Sequence, residues 1–473
     1  MAQRTDRRSF VEAGLAGGLG FASRAADNTR ATVRPPAAKR KFVSPAVEAA
    51  IARIKPRIAD PELAWLFENC FPNTLDTTVY FQLVDGRPDT FVITGDIPAL
   101  WLRDSSAQVW PYLPLSRQDD PLRLMLSGLI RRQTACILLD PYANAFMRHA
   151  GDKPLPWSVH DRTEMKPGVG ERKWEIDSLC YAIRLAHGYW KATGDTSPFD
   201  ADWISAARLM VRTFREQQRK NGRGPYHFQR EAENPTDTVP LSGYGNPARP
   251  VGMIFSMFRP SDDACIFPLF VPANLFAAAA LGWLAELAQE VLRDSAFSSE
   301  CQALADEVSG ATLRYGRIGT AERDIWAYEV DGFGNRIFMD DANAPGLLSL
   351  PYLGCCAASD PRYRRTRARV LSPDNPYFFA GSAAQGVGGP HIGMDMIWPM
   401  SIIMRALTSE DDAEIRQCLA WVKTTHAGTG LMHESFHKDD PSKFTRAWFA
   451  WANTLFGELI VKLSQNKPAL LSS

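Results

Sequence analysis

Apolar residues recur every three to four positions through most of the chain, which is the pattern of amphipathic helices. In one segment Leu179, Ile183, Ala186 and Trp190 form an apolar stripe, while the charged residues fall on other faces. The predicted helices occur in consecutive pairs, which are 104–115 with 121–139, 177–193 with 199–220, 274–294 with 298–316, 346–357 with 361–371, 395–408 with 411–426, and 444–463 with 47–69. The pattern therefore predicts six helical hairpins.

Six hairpins closed into a ring bury their inner helices on all sides, so the predicted fold class is all-α, an (α/α)6 barrel. An open helical solenoid is the alternative, but the sequence has no repeating period to support one. Two short strand pairs, each with an Asp-Gly turn, interrupt the helices as small β-hairpin insertions. These pairs are 77–82 with 90–93, and 326–329 with 336–338.

Four connections rich in Gly, Pro and Asp are longer than ordinary loops. They are 141–173, 221–272, 372–394 and 427–443. Unstructured loops of more than ~15 residues are uncommon unless they build a site. We therefore expect these four to gather at one end of the barrel, around the mouth of a cavity.

The N-terminus has the features of an export signal. Arg7 and Arg8 precede Ser9-Phe10 and a weakly apolar, Gly-rich run. Such a leader is typical of twin-arginine export, and the run is shorter than the roughly 17–25 residues that span a bilayer. We predict a signal peptide over 1–26, a flexible linker over 27–41 and a single (α/α)6 domain over 42–473. The mature protein is then periplasmic or secreted and has no membrane span.

The overall charge limits the class of partner. Lys plus Arg and Asp plus Glu each total 53, so the net charge is zero. Nucleic acids and anionic membranes attract basic proteins, so this balance excludes those partners and favours an uncharged ligand. The 8 cysteines have neither a CxxC pair nor a zinc-like spacing. We expect most of them to be small buried side chains, with one or two disulfides left open.

The most distinctive stretch is TGDIPALWLRDS, which leads from a strand through Gly and Pro into a helix. It brings Trp101, Arg103 and Asp104 together at the start of that helix. A guanidinium beside a carboxylate is suited to neighbouring hydroxyls of one sugar ring. The structural alternative is that Asp104 caps the helix and Arg103 forms a surface ion pair.

Together with four later strings, this motif makes the sequence resemble glycoside hydrolase family 125. The later strings are WEIDSLCYA, DDANAPGLLSLPYL, GPHIGMDMIWPMS and HESF, and the resemblance extends over about residues 45–465. It implies an exo-acting, metal-independent α-mannosidase that hydrolyses terminal α-1,6-linked mannose with inversion and needs no cofactor. The implied partner is a mannose-containing oligosaccharide or glycan. Another sugar, such as the α-glucose of related barrel families, is the alternative within this class.

Glycoside hydrolysis uses one acidic and one basic carboxyl flanking the scissile bond. Matched to the family pattern, Asp177 becomes the catalytic general acid and Glu434 the catalytic general base. Taken alone, Asp177 is a helix cap and Glu434 a solvated loop residue, and Glu175 is the rival acid.

Polar loop residues complete the site that the resemblance implies. Side chains of this type commonly order only their own loops. A non-catalytic glycan-binding protein on the same scaffold would keep them and need neither carboxyl, so the presence of both carboxyls favours an enzyme. The implied substrate-binding set is Trp101, Arg103, Asp104, Asp341, Asn343 and His391.

The segment His433-Glu434-Ser435-Phe436-His437 matches the zinc-peptidase pattern H-E-x-x-H. That pattern binds zinc only on a helix, where positions i and i+4 share one face. Gly428 and Gly430 precede it and Asp-Asp-Pro follows, so little chain is left for such a helix. A zinc metallopeptidase is therefore the alternative enzyme class, and we predict no metal site.

Overall fold

The computed structural model describes residues 30–320 and 322–472, so the predicted signal peptide lies outside the described residues. The fold is rich in helices. They are α1 (Pro45–Ile54), α2 (Pro61–Cys70), α3 (Asn73–Thr77), α4 (Leu102–Val109), α5 (Asp120–Leu139), α6 (Ile176–Thr193), α7 (Ala201–Gln217), α8 (Val271–Glu290), α9 (Ser295–Tyr315), α10 (Pro361–Val370), α11 (Pro399–Leu407), α12 (Asp412–Thr424) and α13 (Ala450–Asn466).

Short antiparallel strands connect the helices in small sheets. The sheets are β1 (Val79–Val84) with β2 (Arg87–Val92), β3 (Leu100–Trp101) with β4 (Ala145–Phe146) and β5 (Val169–Glu171), β6 (Leu269–Phe270) with β9 (Glu329–Val330) and β10 (Arg336–Ile337), β7 (Arg317–Ile318) with β8 (Ile325–Trp326), β11 (Phe378–Ala380) with β12 (Gln385–Val387), and β13 (Met396–Ile397) with β14 (Ser435–His437) and β15 (Phe444–Thr445).

The helices fall into two classes by the way they begin. In α2, α5, α7, α9, α10 and α12 an Asp side chain caps the first turn by accepting a backbone N–H bond. In α4, α6, α8, α11 and α13 the preceding residue is extended and its side chain makes no capping bond. Helices of this second class pack on one another: α4 packs on α6 and α13, α6 on α8, and α11 on α13.

Most predicted helices are confirmed to within a few residues, but the prediction of a helix over 346–357 is wrong. This segment forms successive turns. The side chain of Asp340 accepts the backbone N–H groups of Leu347 and Leu348 at 2.7 and 2.9 Å, so those donors are already bonded outside a helix.

Three other predicted helices have different bounds. The segment 47–69 is divided into α1 and α2 by the 3-10 turn Lys55–Arg57, which contains Pro56. The end of the predicted helix 104–115 lies in the 3-10 helix Trp110–Gln118, which contains two further prolines. The last helix begins at Ala450 and not at 444, because Phe444–Thr445 pairs as strand β15.

Both predicted hairpins are confirmed. Val84 pairs with Arg87 across Asp85-Gly86 in the first hairpin. The second is shorter than predicted, because it pairs β9 with β10 only. Its turn is fixed by Asp331, whose Oδ1 accepts the backbone N–H groups of residues 333, 334 and 335.

The described part of the predicted linker, residues 30–41, makes specific contacts with the domain. The Arg34 guanidinium donates to Asp76 at 2.7 Å and to Glu48 at 3.1 Å, and its side chain is only 4% exposed. The Trp65 ring nitrogen donates to the carbonyl of Ala31 at 2.9 Å. This segment is therefore attached to α1, α2 and α3.

Helix α8 is the single helix of the described residues that is long and apolar enough to span a membrane. In the 18-residue apolar stretch of α8, 67% is buried inside the fold, so α8 serves as a core helix. The eight cysteines are free thiols, and most are buried, as the sequence predicts.

Candidate active site

Arg103 lies at the centre of a buried cluster of carboxylates. Its Nη1 donates to Glu175 Oε2 at 2.5 Å and to Asp177 Oδ2 at 3.1 Å. Its Nε lies 3.6 Å from Asp104, and its Nη2 lies 3.5 Å from Asp262. The structure therefore brings together residues from α4, from the start of α6 and from the loop before β6.

The structure excludes the alternative roles of a surface ion pair for Arg103 and of helix caps for Asp104 and Asp177. Arg103 is 2% exposed and does not form a surface ion pair. Asp104 lies inside the first turn of α4, whose N-cap is Trp101, and the N-cap of α6 is Glu175 without a capping bond. Asp104 and Asp177 are thus buried carboxyl groups at helix starts whose first backbone N–H groups have no side-chain cap.

Glu175 and Asp177 are both fully buried and share the charge of one guanidinium. Burial raises the pKa of each carboxyl above its ordinary value, and Arg103 opposes that rise. Within the described residues, Glu175 Oε1 and Asp177 Oδ1 have no hydrogen-bond partner. Each therefore keeps one oxygen that can hold or transfer a proton.

Glu434 lies in the loop before β14, and it is only 4% exposed. Its Oε2 accepts from the Thr445 hydroxyl at 3.1 Å, and its Oε1 accepts from Arg446 Nη1 at 3.3 Å. Both partners donate, so they orient the carboxylate while its other lone pairs remain available. The alternative that Glu434 is only a solvated loop residue is therefore wrong.

Arg446 contacts Glu434 and also feels the charge of Asp104. Burial alone would lower the pKa of the Arg446 guanidinium, but nearby carboxylates raise it. These carboxylates are Asp96, Glu434 and Asp104. Asp104 also contacts Arg103, so its charge acts on both of the arginines that hold Asp177 and Glu434.

The H-E-x-x-H segment is not helical. Ser435–His437 is strand β14, paired with β13 and β15. The His433 ring stacks on Phe444 with 3.8 Å between ring centres, and its Nδ1 lies 3.0 Å from the Ala447 carbonyl. Four residues of extended chain span about 13 Å, so the two histidines cannot share a zinc ion. Across residues 30–320 and 322–472, no group of three or more His, Cys, Asp or Glu side chains is arranged to hold a metal.

A second polar group surrounds His391. Its Nδ1 lies 3.3 Å from Asp263 Oδ1. Burial alone would raise the pKa of Asp263, but the charges of His391 and Arg259 and its hydrogen bonds hold it at about 2. The adjacent residue is Asp262, which faces Arg103, so this loop links the two polar groups.

Asp341 and Asn343 lie beside this second group. Asp341 Oδ1 accepts the backbone N–H and the side-chain amide of Asn343 at 2.9 and 3.0 Å, so Asn343 orders its own loop. Asp341 Oδ2 has no partner within the described residues. A Cβ at Gly389 would lie 3.0 Å from this oxygen, so glycine leaves it open. Burial raises the pKa of Asp341.

Trp101 is 1% exposed and packs in a small buried apolar cluster with Trp157 and Leu155. In this position the ring supports the β3–α4 segment that carries Arg103 and Asp104.

Several residues of the site have no motif or spacing in the sequence that indicates their role. Arg446 and Asp262 are ordinary charged residues in loops remote in sequence from their partners. Asp96 lies within the TGDIPALWLRDS motif and donates no bond, but its carboxylate accepts from Arg446 Nε at 2.9 Å. The position of Asp96 in this motif is the one sequence feature that indicates a role in the site.

A model of the family described as metal-independent α-mannosidase (GH125) matches residues 60–461. The "Meiotically up-regulated gene 157 protein" of Schizosaccharomyces pombe is 41% identical over 459 residues, which cover 93% of this chain and 89% of that protein.

A solved structure from Streptococcus pneumoniae is also similar. It is described as one of a family of widely distributed metal-independent α-mannosidases, in a non-productive substrate complex with α-1,6-mannobiose. It is 39% identical and superposes with a TM-score of 0.85, and the match covers 90% of this chain and 100% of that chain.

Proposed function

This chain belongs to glycoside hydrolase family 125, the metal-independent α-mannosidases, and on that premise we propose that it removes terminal α-1,6-linked mannose from glycans with inversion. The bound α-1,6-mannobiose of the Streptococcus pneumoniae relative supports this linkage. The close similarity to that relative also supports an (α/α)6 barrel, whose inner helices would be α4, α6, α8, α11 and α13. The segment 340–357 would take the place of the sixth inner helix.

The observation that carries the mechanism is that Asp177 and Glu434 each contact a buried arginine, Arg103 and Arg446, and that the charge of Asp104 raises the pKa of both arginines. This arrangement connects two carboxyls, Asp177 and Glu434, that are 257 positions apart in the chain (434 minus 177). An inverting glycosidase needs two such groups on opposite faces of the sugar, separated by roughly 6.5 to 9.5 Å to admit a water.

Asp177 is proposed as the general acid. Its raised pKa favours the protonated form that an acid needs, and its Oδ1 is free to donate to the glycosidic oxygen. Arg103 holds the other oxygen, so the carboxyl has a fixed orientation. As the bond to the leaving group breaks, the proton moves from Asp177 to that oxygen and the carboxylate is stabilised by Arg103.

Glu434 is proposed as the general base. Thr445 and Arg446 each donate one bond to it, which fixes its plane and leaves lone pairs for a water. The water loses a proton to Glu434 as its oxygen attacks the anomeric carbon. The product of attack on the face opposite the leaving group is β-mannose.

Trp101, Arg103, Asp104, Asp341, Asn343 and His391 are proposed to bind the terminal mannose. The open Oδ2 of Asp341 supports this role, because a buried carboxylate oxygen without a partner is costly unless a ligand donates to it. Asn343 would act by orienting Asp341.

The defining experiment is hydrolysis of α-1,6-mannobiose followed by proton NMR of the anomeric signals. We expect β-mannose to accumulate first and to mutarotate afterwards. Parallel reactions with α-1,2- and α-1,3-mannobiose measure linkage preference, and the Glu434→Gln variant is the control for contaminating activity. Initial release of α-mannose would contradict inversion. Binding of the disaccharide without release would indicate a glycan-binding protein.

A further inference from the structure

A buried arginine lies outside the proposed active site and has only neutral partners. Arg219 follows the last residue of α7 by two positions and is 8% exposed. Its guanidinium donates to Gln217 Oε1 at 3.3 Å, to the Tyr244 carbonyl at 2.8 Å and to Met257 Sδ at 3.4 Å. It also lies 4.7 Å from the centre of the Phe255 ring.

The other strongly buried arginines near the site are neutralised. Arg103, Arg230, Arg259 and Arg446 each lie within hydrogen-bond distance of at least one carboxylate. Across residues 30–320 and 322–472, no carboxylate lies within 4.0 Å of the Arg219 guanidinium. An unpaired buried charge is expensive, and burial lowers the pKa of Arg219 to about 10.

Arg219 borders a surface cavity that contains a second arginine. The cavity has a volume of about 340 Å³, and its lining includes Arg219, Arg223, Tyr244, Asn246 and Phe255 but no Asp or Glu. Arg223 is exposed and stacks on the Tyr244 ring at 5.2 Å. Two guanidinium groups therefore adjoin one cavity without a counterion from its walls.

The backbone around this cavity is held in costly conformations. Arg219 has φ 54°, Leu241, which also lines the cavity, has φ 52°, and the next residue, Ser242, has φ 60°. Residues other than glycine seldom adopt the left-handed region, and such strain clusters at functional sites. The strained backbone and the uncompensated charge are independent observations on the same cavity.

We propose that this cavity is an oxyanion-binding site, which takes a phosphate group through the paired guanidinium groups of Arg219 and Arg223. The planar fork of arginine matches the oxygens of phosphate, and the bonds are charge-assisted. The Phe255 carbonyl accepts from the Trp174 ring nitrogen at 2.7 Å, so the cavity lies directly behind the segment that carries Glu175 and Asp177. The phosphate is either free or attached to a glycan that also reaches the active site.

Calorimetric titration of the full chain with inorganic phosphate tests the site, in chloride buffer of matched ionic strength. We expect saturable binding of one phosphate per chain. Arg223→Gln should weaken this binding by about tenfold or more, because it removes a charge-assisted bond. Arg314→Gln is the matched control, since Arg314 is also exposed and stacks on a tyrosine, at 5.3 Å.

Absence of saturable phosphate binding would overturn the proposal, and so would equal affinity of the Arg223→Gln and Arg314→Gln variants. A second titration with mannose 6-phosphate identifies the source of the anion. If mannose 6-phosphate binds more tightly than inorganic phosphate, and if Arg223→Gln removes that difference, the site is assigned to glycan-borne phosphate. Equal affinity would assign it to free phosphate. The titration measures binding and not hydrolysis, so its outcome is independent of the proposed function.

Discussion

Arg103 donates from a single nitrogen to two fully buried carboxyls, Glu175 and Asp177. One positive charge cannot neutralise both carboxylates, and Asp104 and Asp262 add further negative charge nearby. Retaining a proton on one of the carboxyls lowers the electrostatic cost of burying them together. At the residue scale, this arrangement raises the pKa of Glu175 to about 8 and also raises the pKa of Asp177, which favours the protonated form of these carboxyls.

Substitution of each of the two carboxyls proposed as acid and base tests its role. We expect Asp177→Ala and Glu434→Gln each to lower kcat on α-1,6-mannobiose by ~10² or more, because general acid–base groups contribute about that much. An aryl α-mannoside with a good leaving group needs less protonation, so on it the Asp177→Ala loss should be smaller. Steady-state kinetics on both substrates measure the two effects, and circular dichroism checks the fold.

Glu175 provides the comparison for this experiment. If Glu175→Gln shows the leaving-group dependence and Asp177→Ala does not, the acid is Glu175 and the assignment of Asp177 is incorrect. A carboxyl separation beyond about 12 Å between Asp177 and Glu434 in a substrate complex would also contradict the pair, since inversion requires a much shorter spacing.

The pH profile tests the electrostatic link through Asp104. Burial raises the pKa of Asp177, and the charge of Asp104 adds to that rise. In Asp104→Asn that charge is absent, so the pKa of Asp177 falls and the acid loses its proton at lower pH. We therefore expect the basic limb of kcat/KM against pH to move to lower pH. Asp89→Asn, on the remote β1–β2 hairpin, is the control and should leave the limb in place.

At the scale of elements, the beginnings of the helices separate structural from functional positions. Asp side chains cap α2, α5, α7, α9, α10 and α12, and those carboxylates are used for helix stability. Helices α4, α6, α11 and α13 begin without side-chain caps, so their first N–H groups remain available to other partners. The carboxyls Asp104 and Asp177 lie in the first turns of two such helices.

The strand conformation of β14 gives a prediction about metals. Because His433 and His437 cannot bind one ion from an extended segment, activity should be unchanged after exhaustive dialysis against a strong chelator. His437→Ala should also retain mannose release. Loss of activity on chelation, with recovery on addition of zinc, would favour the metallopeptidase-like alternative.

The segment before α1 gives a prediction about stability. Arg34 pairs with Asp76 and Glu48 and is almost fully buried, so Arg34→Met leaves the buried Asp76 with only its 3.5 Å contact to Arg40. We expect the free energy of unfolding to fall by about 3 kcal/mol. Arg87→Met is the matched control, because that side chain is 57% exposed in its pair with Asp200 and should cost less than about 1 kcal/mol. Urea denaturation measures both, and equal losses would contradict the structural role of Arg34.

At the scale of the whole molecule, the family match covers residues 60–461 and does not include the N-terminal segment. We propose that residues 1–26 are a twin-arginine signal peptide and that 42–473 is one domain that acts in the periplasm or outside the cell. N-terminal sequencing of exported protein should find a start between Ala22 and Asp27. Replacement of Arg7 and Arg8 by lysine should keep the full-length chain in the cytoplasm, whereas unchanged export would refute the leader.

The sequence by itself determined the helices, the two hairpins and the residues around which the site is built. Apolar spacing depends only on local geometry, so α5, α6 and α9 were predicted to within a few residues. The family motifs pointed to Asp177 and Glu434 as candidates, because a motif records chemistry that its own short segment carries. The predicted helix over 346–357 failed because the Asp340 side chain bonds its backbone donors, which helical periodicity does not reveal.

Only the tertiary structure decided which charges meet. Arg103 contacts Asp262 and Arg446 contacts Asp96, and nothing in the local sequence of either arginine indicates its partner. The same holds for Arg219, which has no carboxylate within 4.0 Å among the described residues although acidic residues are as frequent as basic ones in the chain. The physical reason is that a pKa or an ion pair depends on distance and burial, and packing brings together residues that lie hundreds of positions apart.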